Sequence, residues 1–247
     1  MKADPFAQLR LLDLQSLDAL LDLLAHRRAT LPQLAELAVL GERRSAVDDE
    51  RVGAETDVSD LSRQQRKADA DVEQVKARRT RDQQRLDRGE VGSPKDLAGL
   101  QSEVQALSRR IDVLEDEELE VMEQLETAQQ RLDASQRSLA EIDAQLAAVG
   151  SARDEALAAI DAEAEKAQTE RHQLAGELPA DLLALYEKLR AQLGGVGAAA
   201  LQQRRCTGCR LELTPADRSR ILASPPDEVV RCEECRRILV RTHESPV

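Results

Sequence analysis

The sequence has almost no aromatic residues: its 247 residues include one Phe, one Tyr and no Trp. Large rings supply much of the buried area in an ordinary globular core, so their scarcity argues against a single compact domain. The chain is instead rich in Leu, Ala, Glu, Asp, Arg and Gln, and 33% of its residues are charged. This composition favours long helices or coiled coils.

Long apolar runs are also missing. The first ten residues, MKADPFAQLR, contain no apolar segment typical of a secretion signal. No run approaches the roughly 18 apolar residues that a membrane span needs. We therefore expect a cytoplasmic protein with no membrane partner. The net charge of −12 argues against nonspecific binding of nucleic acid by the whole surface.

The stretch VGSPKDLAGL (91–100) predicts the start of a long helix. Ser93 is a good N-cap, Pro94 suits the first helical position, and Asp96 falls where a capping box places its acid. From Leu97 to Ile160 the a and d positions of successive heptads are apolar, which is strong evidence for a coiled coil. The polar interruptions are Glu118, Ser135 and Arg153.

The preceding segment, 37–86, has a poorer apolar seam in the same heptad spacing and offers a partner for this stripe. The break between the two, DRGEVGSP (87–94), is short, and short connections make antiparallel neighbours. We predict a helical hairpin over 1–175, with a turn near 87–94 and a kink near 30–33. Its register would place Leu61 near residues 121–122. A parallel dimer is the alternative, which the helix breakers in the turn disfavour.

Residues 176–200 are predicted to form a short helix carrying Tyr186, followed by a flexible, Gly-rich linker in GGVGAAA (194–200). Residues 201–247 then form a separate small domain that contains every cysteine of the chain. The predicted fold class is mostly α: a long antiparallel coiled-coil helical hairpin followed by a small C-terminal β zinc ribbon.

The four cysteines form two CxxC pairs separated by 22 residues: Cys206 and Cys209, then Cys232 and Cys235. This spacing is a strong signal for zinc, because each tight turn directs two sulfurs at one tetrahedral ion. We predict one structural Zn²⁺ held by all four thiolates, which leaves no open position for a reactive water. A redox-active thiol pair is the alternative. His243 is interpreted as a surface residue.

The remaining ribbon sequence predicts strands at 211–213, 228–231 and 238–241. It also predicts a short helix over 214–222, with Thr214 as cap and Pro215 in the first turn. Its apolar residues are too few to fold it unaided. Zinc binding contributes about 10–16 kcal/mol to such domains and would supply the missing stability.

Together these motifs resemble a bacterial family of C4-type zinc ribbon proteins with a coiled-coil hairpin. The resemblance is carried by RLDRGEVGSPKDLAGLQSE (85–103), LYEKLR (185–190), CTGCRLEL and VVRCEECRRIL. It departs at the second knuckle, where Glu233, Glu234 and Arg236 replace the family's usual residues. The resemblance implies a non-enzymatic role, with protein partners in transcription, flagellar or secretion assembly, or with RNA.

The leading functional hypothesis is an interaction protein, in which the hairpin is a scaffold and the ribbon a recognition head. We expect no catalysis and no small-molecule substrate, since neither a P-loop nor an HExxH motif is present. Two basic patches are candidate contacts for a protein partner or nucleic acid. The ribbon patch comprises Arg204, Arg205, Arg210, Arg231, Arg236 and Arg237, and the hairpin-tip patch comprises Arg78, Arg79, Arg81 and Arg85 with Lys76 and Arg88.

Two alternatives remain open at this stage. A regulatory protein that binds RNA or DNA through the two patches predicts binding that weakens steeply with salt. The absence of any aromatic residue from the ribbon weakens the case for stacking on single-stranded bases. A redox-regulated chaperone predicts reversible release of zinc under mild oxidant.

Overall fold

The computed structural model describes residues 1–245 and has the predicted class, long helices followed by a small β ribbon. The described residues divide into two compact units, one of Ala35–Gly150 and one that joins Met1–Leu34 to the chain from Ser151 onward. These boundaries differ from those predicted at 175 and 200. The elements are α1 (Pro5–Ala29), α2 (Pro32–Asp87), α3 (Pro94–Gly176), α4 (Ala180–Gln192), β1 (Ala198–Gln202), β2 (Arg205–Cys206), α5 (Pro215–Ala223), β3 (Val230–Arg231) and β4 (Ile238–Arg241).

The unit of Ala35–Gly150 is an antiparallel pair formed by α2 and α3. Ion pairs link Arg44 to Asp143 at 2.6 Å and Lys76 to Glu115 at 2.7 Å, so residue numbers rise along one helix and fall along the other. The buried residues of α3 in this unit all occupy predicted a or d positions: Leu100, Ile111, Leu114, Ala128, Leu132, Leu139 and Ile142. The weaker seam of α2 buries only Leu40, Ala54 and Val72.

Helix breaks fall inside the two intervals marked in the sequence. α1 ends at Ala29 and α2 begins at Pro32, while α2 ends at Asp87 and α3 begins at Pro94. Ser93 caps α3, because its Oγ accepts a hydrogen bond from the backbone N–H of Asp96 at 3.2 Å. No helix within residues 1–245 combines the length and apolarity needed to cross a membrane.

The predicted register of the hairpin is wrong by about one helical turn. Leu61 borders a groove whose residues on α3 run from Glu120 to Arg131, so the middle of this stretch lies about one turn beyond residues 121–122. The ion pair of Asp57 with Arg131, at 3.4 Å, fits the same pairing. When one helix shifts by one turn, its residues at a positions take the places of those at d positions, and the contact between the helices stays apolar. Heptad periodicity alone therefore does not specify the register.

The second unit contains a four-stranded sheet in the order β2-β1-β4-β3. β1 pairs with β4 in parallel, and β2 and β3 join the two edges in antiparallel fashion. Side chains alternate across this sheet, as the period of a strand requires. Ile238 and Val240 face a core built from α1, α4 and the end of α3, whereas Leu239 faces the cysteine side.

The predicted flexible linker at 194–200 is wrong for its last three residues, which begin β1. Ala198, Ala199 and Ala200 are buried in a central strand. The small side chains are needed because the chain passes close to α4: a Cβ added to Gly197 would meet the carbonyl oxygen of Tyr186 at 2.7 Å. Close packing therefore requires small residues here, and the same small residues are typical of a flexible linker.

Two predicted strands of the ribbon are shorter in the structure. At 211–213 only Glu212 forms a bridge, with Arg205, because the chain there closes the first knuckle. At 228–231 the strand is Val230–Arg231, and Glu228 bridges to Lys2 at the N-terminus. The strand over 238–241 and the helix after Thr214 form as predicted; the Thr214 side chain accepts a hydrogen bond from Asp217 N–H at 3.1 Å.

A buried polar cluster joins α1, α3 and α4. Asp18 of α1, which is 1% exposed, accepts hydrogen bonds from Arg171 Nε and from the Tyr186 hydroxyl, each at 2.6 Å. Arg190 Nε lies 3.4 Å from the same carboxylate, and Glu187 binds the other side of Arg171. The Asp18 cluster, as we name these five residues, satisfies a charge that would otherwise be costly to bury.

Tyr186 provides a pH-dependent test of this packing. Burial raises the pKa of Tyr186 above its ordinary value of 10.0, and the hydrogen bond to Asp18 raises it further. Because the folded chain keeps a proton that the unfolded chain loses, the stability from this group is complete below pH 10 and falls as the pH rises beyond it.

We therefore expect the ultraviolet phenolate signal, which reports only Tyr186, to stay absent near pH 10 and to develop only with unfolding. Tyr186→Phe should lose stability less steeply than the wild type above that pH, as followed by helical circular dichroism. Ionisation near pH 10 in a chain that is still folded would contradict the buried hydrogen bond.

Candidate metal centre

The first cysteine pair lies on a tight turn that begins at the end of β2. Cys206 N–H donates to Leu211 C=O at 3.1 Å, and Arg210 N–H donates to Cys206 C=O at 2.7 Å. Thr207 fixes the turn to β1, since its Oγ1 accepts a hydrogen bond from Ala200 N–H at 2.9 Å. These bonds close the turn so that both sulfurs face the same side.

The second pair repeats this arrangement between β3 and β4. Cys232 N–H donates to Arg237 C=O at 3.0 Å, and Arg236 N–H donates to Cys232 C=O at 2.9 Å. The two turns therefore have the same hydrogen bonds at the same sequence spacing. The sheet brings them together, because β1 and β4 are paired neighbours.

The four sulfurs converge on one point. All four Sγ atoms lie within 4.8 Å of one another, with 3.8 Å between Cys206 and Cys235 and 3.9 Å between Cys209 and Cys232. A tetrahedral zinc with Zn–S bonds of about 2.3 Å requires sulfur separations of about 3.8 Å. A disulfide requires a separation of about 2.05 Å. The geometry therefore fits a four-thiolate zinc site and no disulfide among these cysteines.

In the absence of metal, the surroundings shift the pKa values of Cys206, Cys232 and Cys235 in different directions. Burial raises the pKa of Cys206 to about 12 and also raises the pKa of Cys232. At Cys235, burial acts in the same direction, but hydrogen bonds from Arg237 outweigh it and lower the pKa to about 7. Zinc must displace the protons of the buried thiols, so metal binding and folding of this site are coupled.

The structure separates the ribbon arginines into bound and unbound groups. Arg237 donates from Nε to Val196 C=O and from Nη2 to Leu193 C=O, each at 2.9 Å, so it holds the connection between α4 and β1. Arg231 donates to Arg236 C=O at 2.9 Å, and Arg236 lies 3.5 Å from Glu233. These bonds give Arg237 a structural role, and its predicted contact with a partner stays a prediction.

Three arginines around the first turn remain available: Arg204, Arg205 and Arg210. Each is exposed, and within residues 1–245 none has an ion pair or a side-chain hydrogen bond. We call these three the first-knuckle arginines. Arg205 and Arg210 border an open groove of about 380 Å³ together with Gln202, Gln203, Thr207 and Glu244. Sequence reasoning missed the polar residues of this groove, since no motif marks them.

Several residues around the knuckles have left-handed backbone conformations without being glycine. Gln203 and Arg204, at φ of 46° and 71°, form the turn between β1 and β2, and Arg210 and Arg236 follow the knuckles at 63° and 65°. This conformation costs a residue with a side chain roughly 1–2 kcal/mol.

Arg210→Gly should relieve this strain and stabilise the ribbon by about 1 kcal/mol. Arg205→Gly is the matched control, because Arg205 lies in strand β2, where glycine should destabilise by about 0.5–1 kcal/mol. Urea unfolding of the zinc-loaded proteins measures both. A destabilised Arg210→Gly protein would show that the arginine side chain holds the turn.

The hairpin-tip arginines belong to the other unit and are partly neutralised there. Arg78 forms ion pairs with Glu103 and Asp82, and Arg85 lies 3.8 Å from Asp82. Lys76 and Arg88 likewise have acidic partners, Glu115 and Glu90. Arg79 and Arg81 have no ion pair among the described residues. The tip is thus a mixed-charge surface rather than a uniformly basic one.

Comparison with known proteins agrees with this architecture. Residues 14–194 match the CT398-like coiled coil hairpin domain, and residues 205–239 match the C4-type zinc ribbon domain. A relative from Mycobacterium tuberculosis strain H37Rv is 39% identical over 241 residues, which cover 98% of each chain. A solved structure from Mycobacterium smegmatis has a TM-score of 0.82 and 35% identity, covering 98% of this chain and 100% of its own.

At lower identity the likeness is one of fold alone. The structure of CT398 from Chlamydia trachomatis has a TM-score of 0.67 at 20% identity, with 96% of this chain and 98% of that chain covered. The hairpin match spans more than half of the chain, and the four cysteines stand in the geometry of a C4 zinc site. This chain belongs to the family of CT398-like coiled-coil hairpin proteins with a C4-type zinc ribbon.

Proposed function

We propose that this protein is a non-enzymatic adaptor whose zinc ribbon recognises a protein partner and whose hairpin serves as a scaffold. The observation that carries the proposal is the convergence of all four cysteines on one site. Four thiolates complete the tetrahedral coordination of zinc, so no position is left for a metal-activated water. The ion then acts by holding the recognition surface in shape.

The way the ribbon is packed supports its role as the recognition head. One face of the sheet is buried against α1 and α4, and the other holds the cysteine side chains. The first-knuckle arginines remain exposed to solvent. Exposed arginines beside a rigid turn are suited to recognition, because the guanidinium group forms directed, charge-assisted hydrogen bonds.

The hairpin has the properties of a scaffold. α2 has 56 residues and α3 has 83, yet in α2 only Leu40, Ala54 and Val72 are buried. Most side chains of such a pair contact solvent, so the pair offers a large surface for its size and little enclosed volume. Long paired helices of this kind present side chains at fixed spacing to a partner.

Nucleic-acid binding is the second candidate function, favoured by the unpaired arginines at the first knuckle and by Arg79 and Arg81 in the hairpin. Arginine contacts to phosphates supply affinity without base recognition. Against this candidate stand the net charge of −12 and the absence of aromatic residues from the sequence of the ribbon. These features weaken long-range attraction and base stacking.

Affinity capture of the tagged, zinc-loaded chain from its own organism, with and without nuclease, tests the proposal. We expect one or a few proteins at stable stoichiometry that survive nuclease treatment. Loss of every partner on nuclease treatment would support the nucleic-acid candidate and contradict the adaptor. Reversible release of zinc under mild peroxide, with partners bound only by the oxidised form, would favour a redox-regulated chaperone instead.

A further inference from the structure

Most arginines of the ribbon are bound by the ribbon itself. Glu233 pairs with two of them, at 2.6 Å to Arg220 and 3.5 Å to Arg236. Arg241 donates to four backbone carbonyls, those of Ser224, Pro225, Pro226 and Glu228, at 2.8–3.0 Å. With Arg231 and Arg237 also bonded to carbonyl groups, these side chains have structural roles.

The first-knuckle arginines differ from these five. Arg204, Arg205 and Arg210 are all exposed, and in the described chain none of them contacts an acidic side chain within ion-pair distance. Three uncompensated cations, in the β1–β2 turn, in β2 and directly after the first knuckle, therefore face solvent. This local concentration of positive charge stands out in a chain whose net charge is −12.

Two of these arginines have a left-handed backbone conformation, which is strained for a residue with a side chain. Arg204 and Arg210 have φ of 71° and 63°, where glycine would be more stable. Arg236, at the equivalent position of the second knuckle, has the same conformation but pairs with Glu233, so the side chains at Arg204 and Arg210 differ from it in lacking an internal partner. The groove beside them adds the side-chain amides of Gln202 and Gln203 and the carboxylate of Glu244.

Neutralising the zinc-bound thiolates is the competing role for these arginines. A zinc ion with four thiolates carries a charge of −2, which nearby cations would offset. Arg237 already has this position, since its side chain lies against Gly208 of the first knuckle and it follows Cys235 by two residues. No hydrogen bond joins a side chain of the first-knuckle arginines to a cysteine sulfur in the described structure. Their charge is therefore available to an external anion.

We propose that Arg204, Arg205 and Arg210 bind an acidic segment of a protein partner, with carboxylate groups at the guanidinium groups and polar backbone in the groove lined by Gln202 and Gln203. The inference rests on the proposed adaptor function and names the chemistry of the partner. Arginine forms two parallel hydrogen bonds with a carboxylate, and the glutamine amides can pair with a peptide backbone.

An acidic peptide fits this surface better than a nucleic acid does. Double-stranded DNA carries one charge per roughly 1.7 Å, so most of its phosphates would lie beyond the three arginines. Those phosphates would be repelled by the net negative charge of the protein. Glu244 would repel any anion placed in the groove, so the groove suits the uncharged backbone of a peptide, whose N–H groups can donate hydrogen bonds to Glu244. A short acidic segment needs only the local positive charge.

Fluorescence anisotropy of the full-length, zinc-loaded protein tests the proposal with a fluorescein-labelled oligoglutamate peptide as the probe. The test variant carries Arg204→Gln, Arg205→Gln and Arg210→Gln. The matched control carries Arg66→Gln, Arg109→Gln and Arg110→Gln, which remove the same charge from exposed hairpin residues with no ion pair in the described chain. Zinc content shows whether each ribbon is intact.

We expect the test variant to bind the peptide at least about tenfold more weakly than the wild type, because hydrogen bonds to charged groups are lost. The control should change by less than about twofold, since its charges lie outside the site. An oligonucleotide of equal net charge should bind more weakly than the peptide. Binding should also weaken as salt is added.

Three outcomes would overturn the inference: no measurable peptide binding, equal losses in test and control variants, or tighter binding of the oligonucleotide through the same arginines. The adaptor function is separately testable. If a partner captured after nuclease treatment is retained by the test variant, the adaptor stands and this assignment of its surface fails. If no partner survives nuclease treatment, the adaptor itself fails.

Discussion

Replacing Cys232 by serine will unfold the ribbon while the long helices stay folded. Cys232 is 1% exposed and packs with Leu201, Leu213, Ile221 and Leu239 in the cluster beneath the knuckles. That cluster is too small to be stable alone. Loss of the metal removes about 10–16 kcal/mol of binding free energy from the folded state.

Amide hydrogen exchange of the full-length variant measures this effect. Protection should disappear from the two knuckles, β2 and β3, and persist in α2 and in the part of α3 before Gly150. β1 and β4 should lose less protection, because their other face packs on α1 and α4. Leu211→Ser is the matched control, since its side chain is 51% exposed and its loss should leave zinc in place. A chelator should reproduce the Cys232→Ser pattern in the wild type. Protected knuckles, β2 and β3 in a zinc-free chain would contradict the account.

Asp18→Ala will destabilise the unit that contains the ribbon by about 3–5 kcal/mol. The substitution leaves Arg171 without its bond to Asp18 at 2.6 Å and removes the acceptor of the Tyr186 hydroxyl. Arg190, 3.4 Å away, loses its buried counter-charge as well. Arg171 keeps its ion pair with Glu187 and Arg190 keeps its own with Asp22, which places the expected effect at the lower end of this range.

Thermal unfolding followed by circular dichroism, with Asp13→Ala as the control, tests this prediction. Asp13 lies on the same helix, but its side chain is 69% exposed and its ion pair with Arg10 is long, at 3.9 Å. The control should change stability by less than about 1 kcal/mol. Equal effects of the two substitutions would show that the Asp18 cluster contributes no more than a surface pair.

The sequence predicted the elements whose stability is local or periodic. The heptads of α3 placed the buried face correctly from Leu100 to Ile142, because helical periodicity fixes which side chains share a face. The assignment of the four cysteines to one metal has a similar basis, since the spacing of each CxxC pair produces a tight turn with both sulfurs directed at one ion. Both inferences needed only neighbouring residues.

The features that the sequence did not reveal depend on distant contacts. The alanines of β1 have weak strand propensity, and they form a strand because β4 pairs with them from 40 residues away, as Ala198 does with Ile238. Asp18 resembles the many solvated acids of the helices, yet its partners Arg171 and Tyr186 are far along the chain. The hydrogen bonds that occupy Arg237 are likewise invisible to a count of charges.

The zinc coordination shell is the most direct test of the account, because both the fold of the ribbon and its proposed non-enzymatic role depend on it. X-ray absorption at the zinc edge of the purified chain should show four sulfur neighbours at about 2.3 Å and no oxygen or nitrogen ligand. A shell with fewer than four sulfurs and a bound water would contradict it, since an open position would make the metal a candidate catalyst.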